Sequence, residues 1–162
     1  MIFQVGDTEI KQAQVPHNLF VTGIFFFDLL LTPAAIVLNI GLYALLLPLA
    51  CSLLVIAVIY VRSRKASVWF VDAHWKLALR HGQWLMLGYA VTAGLMLLAW
   101  LLSLASNDAH MKHILLTALT RIAVLPTLLA VMVTVVLEAS ALALAGKGEV
   151  PDRIVQKYPP PA

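Results

Sequence analysis

LFVTGIFFFDLLLTPAAIVLNIGLYALLLPLACSLLVIAVIYV, residues 19–61, contains one carboxylate, Asp28, and no cationic side chain. As a single helix it would be roughly 65 Å long, about twice the hydrocarbon thickness of a bilayer. It must therefore turn back on itself. Asn39 and Gly41 both tolerate the left-handed backbone that a tight reversal needs. The stretch is read as a helical hairpin, with one span at about 19–39 and a second at about 42–61. Pro33 and Pro48 fall inside these spans. Proline is tolerated in lipid when neighbours satisfy the freed carbonyls, and it kinks the helix.

The rest of the chain follows the same composition. Of its 162 residues, 62% are hydrophobic and 12% charged, against roughly 45–50% and about 25% in soluble domains. A chain of this size has too little polar surface for water, so much of it must face lipid. A third span is expected at about 84–103, where Trp84 and Trp100 stand about 24 Å apart along a helix and can mark the two interfaces. Gly88 with Thr92, and Ala90 with Gly94, have the small-xxx-small spacing that lets helices approach closely. A fourth span is expected at about 114–145, long enough to require tilt or a kink near Pro126.

The fold class is an all-α integral membrane protein with four transmembrane helices, the first two as a tight hairpin, plus a cytoplasmic amphipathic interfacial helix. The domain organisation is an N-terminal cytoplasmic segment (1–18), a four-span membrane domain (19–145) and an extended cytoplasmic tail (146–162). The acidic start MIFQVGDTEIK lacks the basic region of a cleaved signal peptide.

Charge sets the orientation. Residues 62–81 carry Arg62, Arg64, Lys65, Lys76 and Arg80 against Asp72, whereas 104–113 carry one basic residue, Lys112. Basic residues favour the cytoplasmic side. Both termini and the central segment are therefore expected in the cytoplasm, and the membrane is expected to be the inner membrane of a bacterium.

Between the second and third spans, VWFVDAHWKLALRHGQW (68–84) forms the interfacial helix, at about 66–82. Asp72, Lys76, Arg80 and Gln83 share a narrow face. Phe70, Ala73, Leu77, Ala78 and Trp84 share the opposite one. Asp72 precedes Lys76 by four residues, the favourable order for an ion pair. Arg62, Arg64, Lys65, Lys76 and Arg80 are assigned to lipid headgroups. His74 and His81 leave the polar face and lie about 10.5 Å apart along the axis, too far for one metal ion. They are read as interfacial side chains satisfied by headgroups or carbonyls, with a ligand or partner contact as the alternative. His17 reads as an isolated interfacial residue.

Three charges fall within spans: Asp28, Arg121 and Glu138. An acid at the bilayer centre costs about 2.5–3.5 kcal/mol on insertion scales and normally faces protein or water. Asp28 is assigned either to a structural pair with Arg121 or to a proton relay. Glu138 is assigned to the headgroup level of the fourth span. In the outer loop Asp108, His110 and His113 are weak metal candidates by ligand type.

One cysteine, Cys51, excludes CxxC and CxxCH motifs, and no phosphate loop, HExxH or GxSxG is present. No catalytic residue is assigned and no cofactor is predicted, with haem or copper as the alternative. No basic stripe for nucleic acid is visible. The expected partners are membrane lipids and other membrane-protein subunits. The expected function is a non-catalytic accessory, scaffolding or assembly subunit of a larger inner-membrane complex. The alternatives are a proton- or solute-translocating subunit using Asp28 and Arg121, and a haem- or metal-binding electron-transfer subunit using histidines.

Overall fold

A computed structural model describes residues 1–38, 46–65, 67–105 and 107–161. The chain is helical, with four helical stretches long and apolar enough to cross a membrane: Asp7–Ala35, Leu46–Ser63, Trp69–Leu104 and Ala109–Gly146. The turn expected at Asn39 and Gly41 lies outside the described residues. Cα packing separates the chain into two compact units, residues 1–82 with 135–162, and residues 83–134.

The first stretch begins earlier than its hydropathy suggests. Helix α1 (Asp7–Gly23) includes most of residues 1–18, the segment assigned to lie before the first span. Its first turn carries Asp7 and Glu9, where carboxylates meet the positive end of the helix dipole. The Glu9 carboxylate accepts the Gly6 N–H at 3.3 Å. Ala13, Pro16, His17, Phe20 and Gly23 are buried, a stripe at three- and four-residue spacing. The helix continues as a π-helix at Ile24–Leu31, then as α2 (Thr32–Val37). π-Helical turns are rare and concentrate at functional sites. Asp28 lies within this one, half-buried, and accepts the Ser52 hydroxyl at 2.8 Å.

Helix α3 (Leu46–Ser63) packs beside α1 and the π-helix through Ser52, Val55, Ile56 and Ile59. The contact is close at Gly23, where an added Cβ would meet Val55 Cγ2 at 3.1 Å.

Helix α4 (Trp69–Leu104) is one continuous 36-residue helix. The expected interfacial helix at 66–82 and third span at 84–103 thus run together as two parts of one element. Apolar side chains occupy both parts, and no proline or backbone break separates them. The N-terminal part buries Phe70, Ala73, Leu77 and Ala78, the expected apolar face, whereas Trp84 is exposed. Asp72 bonds Ser67 through both carboxylate oxygens rather than pairing with Lys76, whose ammonium sits 4.3 Å from the Tyr158 ring centroid.

Tyr158 belongs to the tail, which is not extended. The Ile2–Glu149 antiparallel bridge joins the two ends of the chain, and Val150 N–H donates to the Met1 carbonyl at 3.0 Å. Gly148 makes this turn with φ of 70°. The short helix α7 (Asp152–Lys157) places Ile154 and Val155 against Ala13, Phe70, Ala73, Leu77, Ala141 and Ala145. Burial of these few apolar side chains is what the polar composition of the tail concealed.

The fourth stretch is divided. Helix α5 (Ala109–Ala123) starts at Asp108, whose carboxylate accepts the His110 N–H, and helix α6 (Leu125–Gly146) follows. The break at Val124 precedes Pro126, which has no N–H for Ile122 and whose ring crowds that carbonyl. In residues 83–134, α4 and α6 pack tightly. A Cβ on Gly88 would stand 2.4 Å from Ala130 Cβ. Thr127 Oγ1 and Thr92 Oγ1 are 2.8 Å apart, and Thr127 N–H also donates to Thr92 Oγ1. Of the two small-residue pairs, Gly88 with Thr92 thus faces a helix. Ala90 and Gly94 are exposed.

Candidate functional site

Residues 1–82 with 135–162 enclose a cluster of ionisable side chains. Three helical stripes supply it. His17 continues the buried stripe of α1. His74 and His81 lie on the buried face of α4. Glu138 falls on the α6 stripe Glu138, Ala141 and Ala145, which has three- and four-residue spacing. His17, His74 and Glu138 are fully buried, and His81 is 8% exposed.

Glu138 is the centre. Its Oε2 lies 2.6 Å from His17 Nδ1, and its Oε1 lies 2.7 Å from His81 Nδ1. His17 reaches onward through Nε2 to His74 Nδ1 at 3.0 Å. The His17 and His74 rings meet edge-on, 5.2 Å between centroids, and Phe70 packs against His74 at 4.9 Å. His74 Nε2 is buried, with no hydrogen bond of standard geometry among the described residues but with the Glu149 backbone nearby.

The heavy-atom positions admit two proton arrangements. With Glu138 ionised, His17 and His81 both donate from Nδ1. A neutral His17 then accepts at Nε2 from His74 Nδ1–H, and His74 Nε2 is a lone pair. Alternatively, His17 is an imidazolium that donates from both nitrogens, and His74 carries its proton on Nε2. The second arrangement gives the Glu138–His17 pair no net charge. That matters in a buried site, because an uncompensated buried charge costs several kcal/mol. The two arrangements differ by one proton and share the same heavy-atom positions.

Among the described residues, no group of three or more His, Cys, Asp or Glu side chains is placed to hold one metal ion. A haem between His17 and His74 would need their directly bonded rings to move apart.

The structure brings His74, His81 and Glu138 together, although the sequence reading treated them separately. Two corrections follow. Glu138, assigned to the headgroup level, is buried within the protein and bonded to two imidazoles. His74 and His81 are satisfied by His17 and Glu138 rather than by headgroups. His17 was missed as a member of the site. Its signal was its place midway along the stripe Ala13, Pro16, His17, Phe20, Gly23, which becomes visible once α1 is extended back to Asp7.

The other named residues are elsewhere. Asp28 accepts from Ser52. Arg121 is exposed in the unit of residues 83–134. Asp108 caps α5 while His110 and His113 are exposed. Of the assigned headgroup cations, Arg62 lies 5.8 Å from the centroid of the Trp75 ring and Arg64 4.6 Å from that of Tyr60. Lys65 and Arg80 are exposed.

No protein-family model matches the chain, and comparisons with curated proteins and with solved structures found no match.

Proposed function

We propose that this multi-pass membrane protein is a non-catalytic accessory or scaffolding subunit of a larger complex in the inner membrane of a bacterium, with both termini in the cytoplasm. The observation that carries the reading is the closed Glu138 cluster. One carboxylate fastens α1, α4 and α6 through His17 and His81, with both of its oxygens used inside the chain. Such a polar knot fixes helix register and presents a rigid surface to neighbours. The paired chain ends, joined at Ile2 and Glu149, support termini on one side. The cations of residues 62–80 support the cytoplasm as that side.

The test is extraction of native membranes in mild detergent with a tagged chain. The expected result is a stable complex with a stoichiometric membrane-protein neighbour. A chain that migrates alone as a monomer overturns the reading.

A second reading, a proton-translocating subunit, is favoured by the unbroken series His81, Glu138, His17 and His74, with neighbours 2.6–3.0 Å apart. Buried series of this kind form proton relays in membranes. Asp28, in its π-helical turn, is the other group such a pathway would use. Proteoliposomes with a trapped pH dye test it. Glu138→Gln or Asp28→Asn should abolish proton flux while leaving assembly intact, and unchanged flux in both variants excludes it.

A further inference from the structure

Helix α3 carries a continuous apolar stripe that ends in cations. A groove along it is lined by Leu54, Ala57, Val58, Val61, Arg62 and Lys65. At Leu54 it meets a second, wholly apolar groove between α3 and the α1/π-helix, lined also by Gly23, Phe26, Phe27 and Cys51. From Cys51 to Ser63, the end of α3, the helical rise is about 18 Å, and Lys65 lies in the turn just beyond it. Half the full thickness of a bilayer, headgroups included, is about 20–22 Å. The trough is thus close to one leaflet in depth, with its cations at one end and apolar walls along the rest.

We propose that this trough binds one anionic phospholipid, with its phosphate between Arg62 and Lys65 and an acyl chain along Leu54 into the crevice beside Cys51. Arg62, held near Trp75, is partly positioned for this, while Lys65 is exposed. Gly23 allows α1 to approach Val55 closely and so forms the floor of the crevice. The charge of the two cations selects the headgroup, and the apolar walls select a lipid over a free anion.

The experiment uses the full chain in dodecylmaltoside, titrated with phosphatidylglycerol or phosphatidylcholine and read by native mass spectrometry. Two cations at a headgroup give a preference of roughly thirtyfold for the anionic lipid. Cys51, the single thiol, locates the acyl chain: phosphatidylglycerol should slow its alkylation by N-ethylmaleimide. Arg62→Gln with Lys65→Gln should remove both the preference and the protection. Ala57→Trp, at an exposed position that fills the trough without touching the cations, should do the same and guards against misfolding of the double variant. Equal binding of the two lipids overturns the proposal. So does protection of Cys51 that survives in both variants, or displacement of the lipid by millimolar inorganic phosphate.

Discussion

His17 Nδ1 lies 2.6 Å from Glu138 Oε2, across 121 positions of sequence. The same carboxylate holds His81 of α4. A single acidic side chain thus joins the first, third and last long helical stretches, and its removal should be felt in all three.

Glu138→Ala leaves two buried imidazole N–H groups without an acceptor. The expected loss is about 2 kcal/mol or more, read as a fall in the thermal unfolding midpoint in detergent. Glu138→Gln keeps a carbonyl acceptor and a similar shape. Its amide N–H can donate to one imidazole in the other tautomer. It should therefore be the milder change. Equal losses for the two variants would show that the hydrogen bonds contribute nothing beyond packing.

Gly88 and Gly94 lie six residues apart on α4 and should respond oppositely. A Cβ at Gly88 would collide with Ala130 Cβ at 2.4 Å, whereas one at Gly94 meets nothing within 4 Å. Gly88→Ala should destabilise by about 1–3 kcal/mol, and Ala130→Gly in the same chain should restore much of this. Gly94→Ala should be neutral or stabilise by up to about 1 kcal/mol. Unfolding in mixed micelles checks the three variants together.

Ile154 is 2% exposed, in the apolar cluster that seats the tail. Ile154→Asp places a charge among Phe70, Leu77 and Ala145, so α7 should detach. Trypsin should then cut after Arg153 and Lys157 at least about tenfold faster, because cleavage follows the open population when opening is fast. An unchanged rate would mean that the tail is accessible already.

The four spans were legible because lipid demands long apolar runs, and composition alone reveals those. The break before Pro126 and the buried face of residues 70–78 were legible for similar local reasons. What the sequence obscured was long-range. Nothing local ties His17 to Glu138, and a lone histidine near polar residues reads as interfacial. The start of α1 was hidden by the polar residues Asp7–Gln14, which a hydropathy window reads as outside the membrane although they continue the same helix. The tail was misread because Val150, Ile154 and Val155 are few among charges and prolines. Their burial depends on partners that arrive from α1, α4 and α6. Asp28 was found as an anomaly, but its π-helical setting and its Ser52 partner depend on the neighbouring helix.

The most direct test of the four-span architecture is the side of the membrane reached by three single-cysteine probes, at the exposed positions 7, 107 and 156, in a Cys51→Ser background. With four crossings and chain ends joined at Ile2 and Glu149, the exposed positions 7 and 156 should label only from the cytoplasm and position 107 only from outside. Labelling of 7 and 156 from opposite sides would contradict an even number of crossings and, with it, the union of His17, His74, His81 and Glu138 in one cluster.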